Sequence, residues 1–199
     1  MQDEDLDCLF EARTYSELEA IHDQLRSLGA RPDTREDAPR CRWILSDVTL
    51  DVLAPFDDAP GPHNEWHSVD PQATVKVTLE TGATVRVLNG PHLLGSKIVA
   101  FRSPYRRNAG DWYASKDYGD IVTLLDGLDF EAALRSSPSS LGDYVAGFLS
   151  TVAADEDARW GMEGALAGVH PGQSDEVTEF LMSRIRGWLQ TRDGADSSK

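Results

Sequence analysis

The sequence predicts an α+β fold, a mixed sheet with flanking helices followed by a helical C-terminal portion. Three observations predict it. A strand-like segment opens the chain and leads into one well-bounded helix; four strand-like runs lie between residues 41 and 88; helical periodicity dominates from Pro91 onward. The 199 residues suffice for one good core with a helical appendage, and 40% hydrophobic residues support a folded protein.

Leu6, Cys8 and Phe10 alternate with Asp5, Asp7 and Leu9, so the opening reads as a short strand with Leu6 and Cys8 toward the core. Thr14 and Glu17 form a capping box, after which Leu18, Ile21, Leu25 and Leu28 recur at helical spacing until Gly29 stops the helix. The runs Cys41 to Leu45 and Val48 to Leu53 flank the polar pair Ser46-Asp47 and predict a hairpin. From Ala54 to Pro71, prolines at 55, 60, 62 and 71 with Gly61 predict a long loop.

A second hairpin is expected from Thr74 to Leu79 and Thr84 to Leu88, around a turn containing Gly82. Pro91 suits the first turn of a helix carrying Leu93, Leu94, Lys97, Ile98 and Phe101, and Ser115 caps the next, which Gly127 ends. Two later stripes are core-forming: Leu141, Tyr144, Val145, Phe148, Leu149 and Val152, then Val177, Phe180, Leu181, Ile185, Trp188 and Leu189. The expected organisation is an α/β core over residues 1–128, a helical portion over 129–190 and a disordered polar tail over 191–199.

A formal charge of −15 opposes nonspecific binding along nucleic acid. The window from Lys97 to Lys116 runs the other way: Lys97, Arg102, Arg106, Arg107 and Lys116 face only Asp111, either a draw for an anionic ligand or a solvated loop. No apolar run approaches the roughly 20 residues of a membrane span, and the acidic start is unlike a signal peptide. A cytoplasmic protein is expected, with Cys8 and Cys41 as buried reduced thiols.

Asp5 and Asp7, one residue apart in a strand, share a face. Two anions so held repel unless a cation sits between them, and Mg²⁺ with its preference for oxygen suits such a pair. A solvated charge run is the plainer alternative, since Asp3 and Glu4 precede them. Asp51 lies among Val48, Leu50, Val52 and Leu53, where an aspartate is disfavoured and costly to desolvate. It either joins Asp5 and Asp7 around metal or faces solvent on the outer side of its hairpin. Lys116 and Asp120, one helical turn apart, also suit a surface ion pair, and Lys97 also suits a snorkelling lysine on an apolar helix.

Asp5-Leu6-Asp7, Asp51 within Val48 to Val52, Lys97 within His92 to Ala100, and Lys116-Asp117-Tyr118-Gly119-Asp120 occur in the order seen in the AbiEii toxin-type nucleotidyltransferases. The chain resembles that family from about Asp3 to Leu128. The resemblance implies a nucleotidyltransferase-like sheet of the polymerase-β type, with Asp5, Asp7 and Asp51 as Mg²⁺ ligands. It implies catalytic roles for Asp51, Lys97, Lys116, Asp117 and Asp120, with the two lysines meeting the phosphates of an NTP. By the same resemblance the acceptor is the 3′ end of tRNA and the partner a cognate antitoxin. Family members carry a glycine-serine or glycine-glycine turn upstream of the paired aspartates; here Met1 to Glu4 precede Asp5, so the expected core lacks that element.

Two other functions fit the same residues: a catalytically inactive remnant that serves as a binding protein, and a small-molecule nucleotidyltransferase acting on antibiotics. His63 and His67 beside Glu65 imitate a helical metal pair, but prolines and glycine around them oppose a helix. His22 and His170 read as ordinary surface or satisfied histidines.

Overall fold

A computed structural model describes residues 5–56, 59 and 64–196, with side chains except those of Asp5 and residues 193–196. It is a mixed α+β structure whose chain divides into two compact units, Met1–Leu88 and Asn89–Lys199. The division precedes the expected boundary at residue 128, because the helices from Gly90 to Gly127 pack with the later helices.

In the first unit, β1 (Asp5–Leu9) leads into α1 (Tyr15–Ser27), then β2 (Arg31–Pro32), β3 (Arg42–Leu45) and β4 (Val48–Leu53). The sheet order is β1-β4-β3-β2, with β1 parallel to β4 and the other pairs antiparallel. Helix α1 starts as its sequence dictates: Thr14 accepts from the Glu17 N–H, while the Glu17 carboxylate accepts from the Arg13 N–H one residue before the cap. It ends in a Schellman turn, Ala30 N–H to Leu25 and Gly29 N–H to Arg26, which requires the positive φ of 88° at Gly29.

The apolar stripe of α1, Leu18 and Leu25, joins Trp43, Leu50 and Val52 in a core that also takes in Cys8, Phe10 and Ile21. Leu6 departs from the expected inward direction and is 55% exposed, since β1 is an edge strand and Leu6 lies near its end. The hairpin turn is the Ser46-Asp47 pair, with Ser46 at φ 56°. A separate two-stranded sheet, β5 (Thr74–Thr78) and β6 (Thr84–Leu88), pairs Val75 with Val87 and Val77 with Val85.

The second unit contains α2 (Gly90–Arg102), α3 (Lys116–Gly127), α4 (Phe130–Arg135), α5 (Ser139–Ala154), α6 (Glu156–Ala167) and α7 (Ser174–Asp196). Pro91 lies in the first turn of α2 beneath an Asn89 cap, and Ser115 caps α3 by accepting from the Tyr118 N–H. Leu141, Val145, Phe148, Leu149 and Val152 form the buried stripe of α5 as their spacing predicts. On α7 the buried positions are Thr178, Leu181, Met182, Ile185 and Trp188, whereas Phe180 is 62% exposed. The inner face is thus turned from the expected stripe: Thr178 satisfies its hydroxyl on the Ser174 carbonyl and goes inside, and Phe180 stays out beneath the Arg184 guanidinium.

Helix α7 continues to Asp196, so the segment expected to be a disordered tail from 191 is helical through 196. No helix among the described residues is long and apolar enough to cross a membrane.

Candidate functional site

In the first unit, parallel pairing of β1 with β4 sets Asp7 directly against Asp51. Neighbouring strands run about 4.8 Å apart, and paired residues share a face, so the two carboxylates belong to one side of the sheet. The other side carries Cys8, Leu50 and Val52 against α1. Asp5 pairs with Thr49 on β1, two residues from Asp7, and its side chain lies outside the described residues. Among the described residues no group of three His, Cys, Asp or Glu side chains could hold a metal ion; the expected trio includes Asp5 and so falls outside that test.

Sequence reasoning missed Arg42. The antiparallel register of β3 with β4 sets it on the far side of Asp51 from Asp7. Its guanidinium grips the Asp51 carboxylate as a fork, Nε to Oδ1 at 2.8 Å and Nη2 to Oδ2 at 2.9 Å. Both side chains are largely shielded, 19% and 13% exposed, which makes this a strong, charge-assisted pair. The signal was present in the residue type, since an arginine opposite an aspartate needs only the register to become a pair.

The row of charge continues. Asp33 donates its backbone N–H to the Arg42 carbonyl, and its carboxylate accepts from Arg35 Nε at 3.0 Å and Nη2 at 2.6 Å. The Arg35 hydrogen bonds hold the Asp33 carboxyl below its ordinary range, with Arg42 adding to the effect. Across the sheet the order is therefore acid, acid, base, acid, from Asp7 through Asp51 and Arg42 to Asp33.

Both cysteines sense this field. Burial pushes the Cys8 thiol up, and the Asp7 and Asp51 carboxylates push it further. Burial, followed by Asp51, takes Cys41 to about 11. Both are free thiols, as expected.

In the second unit, Lys97 Nζ on α2 reaches Asp120 on α3 at 2.6 Å and lies 3.8 Å from Asp117. The motif residues Lys97, Asp117 and Asp120 thus converge, with Asp117 buried and Lys97 28% exposed. Lys116, which begins α3, is exposed. On the same helix as Lys97, His92 is buried in the first turn of α2 with Nδ1 2.8 Å from the Asn89 side-chain oxygen.

The remaining histidines are bonded as expected of satisfied side chains: His22 Nδ1 to Glu19 at 2.9 Å against the Trp43 ring, and His170 Nε2 to Asp126 at 2.7 Å. His63 lies outside the described residues, and His67 is in a non-helical segment, which removes the helical spacing a metal pair would need. No family model, curated protein or solved structure matches the chain.

Proposed function

We propose that the chain is a metal-dependent nucleotidyltransferase that moves NMP from an NTP to an acceptor hydroxyl. The observation that carries this reading is the registration of Asp7 against Asp51 on adjacent parallel strands. Their oxygen donors match the chemistry of Mg²⁺, which when bound neutralises phosphate oxygens and assists deprotonation of the acceptor. Asp5, Asp7 and Asp51 are the proposed ligands, and a cation there competes with Arg42 for the Asp51 oxygens. By resemblance to the AbiEii-type enzymes, tRNA is the proposed acceptor and an antitoxin the proposed partner; an antibiotic is the small-molecule alternative. The roles of Lys97, Lys116, Asp117 and Asp120 rest on that resemblance, and Lys97 is already ion-paired to Asp120.

A second reading, a non-catalytic interaction protein, is favoured by the Arg42 fork. A guanidinium that takes both oxygens of Asp51 removes the charge imbalance that a metal ion would otherwise relieve. The test uses α-labelled NTPs, Mg²⁺ and either tRNA or aminoglycosides. Label on an acceptor, lost in Asp51→Asn, supports the transferase; failure to label either acceptor, together with a Tm that millimolar Mg²⁺ does not raise, supports the interaction protein.

A further inference from the structure

An open cleft of about 420 Å³ lies in the helical unit, and none of the motif residues above is among those that line it. It follows one stripe of α6: Trp160, Glu163, Gly164 and Ala167 recur at helical spacing, with Tyr113 and Ser174 completing its walls. Trp160 and Tyr113 are 53% and 64% exposed, an unusual outlay of aromatic surface at one place. One helical turn from Trp160 the helix offers no side chain: a Cβ added at Gly164 meets nothing within 4 Å.

We propose that this cleft binds the alkylammonium group of a small organic cation. The faces of indole and phenol rings attract cations through their quadrupoles, and Trp is the best of them. Glu163 contributes a full negative charge one helical turn from Trp160. The Tyr113 end is also acidic: its hydroxyl donates to Asp157 Oδ1 at 2.8 Å, its backbone N–H donates to Asp111 Oδ1 at 2.8 Å, and Asp155 accepts from the neighbouring Trp112 indole at 3.1 Å. These carboxylates raise the Tyr113 hydroxyl above its ordinary pKa, the Asp157 hydrogen bond first.

Arg159, next to Trp160 in the chain, is a cation in contact with this stripe. It is paired with Glu179 at 2.7 Å, and its guanidinium stands 4.9 Å from the Trp160 ring centroid, so a ligand cation must use the indole surface that Arg159 leaves exposed. An anion is disfavoured by the same carboxylates that favour an ammonium. About 420 Å³ of open space takes one ammonium group with its alkyl substituents.

The experiment is calorimetric titration of the full chain with choline, its neutral carbon isostere 3,3-dimethylbutan-1-ol, and a trimethyllysine peptide. Saturable binding of choline and none of the isostere is expected. Trp160→Ala should weaken choline by about tenfold and Glu163→Gln by about threefold. Gly164→Leu, which fills the floor at a site open enough to accept it, should abolish binding while retaining the native helical circular dichroism. No saturable heat with choline, equal binding of the isostere, or wild-type binding by all three variants overturns the proposal. So does a peptide that binds more than tenfold tighter than choline, which assigns the cleft to a protein partner.

Discussion

Two aspartates in register on neighbouring strands repel one another, and Arg42 offsets that repulsion at Asp51 with two short hydrogen bonds. Arg42→Ala leaves a shielded carboxylate beside Asp7 with its fork removed. We expect a loss of about 1–2 kcal/mol at pH 7 by urea denaturation, discounted from the buried-pair range for partial exposure. An unchanged midpoint would show that water replaces the guanidinium without cost. The same region sets a pH dependence through Cys41, whose thiol is raised from 9.0 to about 11, first by burial. A raised folded-state value means the folded chain holds its proton more tightly, so the contribution is complete below pH 9 and is lost as pH rises from 9 to 11. The wild-type advantage over Cys41→Ala in unfolding free energy should therefore shrink by about 2–3 kcal/mol over that window, and a flat difference would contradict it.

At the scale of elements, two glycines on one helix have opposite roles. Gly161 faces the Trp112 backbone so closely that an added Cβ falls 2.3 Å from its carbonyl oxygen, whereas Gly164 borders open space. Gly161→Ala must push apart α6 and the segment before α3, where Trp112 stacks with Phe101, Tyr118 and Phe148. It should cost about 1–3 kcal/mol as an overpacking substitution. Gly164→Ala should stabilise by about 0.5–1 kcal/mol through helix propensity alone. Thermal denaturation of the pair checks both, and equal shifts would remove the distinction. The Phe180 position makes a related point: spacing alone put it inside, but α7 rotates so that Thr178, with its own carbonyl partner, lies against the neighbouring helices.

At the scale of the whole molecule, 34 acidic against 19 basic residues leave a chain that repels itself. Many of its arginines are already committed, Arg42 to Asp51, Arg159 to Glu179 and Arg184 to Glu131. Screening by salt weakens the long-range repulsion more than these short pairs. The Tm should accordingly rise between 20 and 200 mM NaCl, and a fall would mean that surface ion pairs outweigh net charge.

By itself the sequence determined what depends on near neighbours along the chain: the α+β class, the Thr14 and Ser115 caps, the Gly29 stop, the Ser46-Asp47 turn and the α5 stripe. Each follows from dihedral preference, a local hydrogen bond or a short period. Only the tertiary structure decided that Asp7 stands beside Asp51, that Arg42 takes the Asp51 oxygens, that the units part at Leu88, and that Tyr113 and Trp160 border one cleft. Those depend on strand register and helix rotation, which are set by the packing of residues far apart in the chain and are not encoded in any single segment.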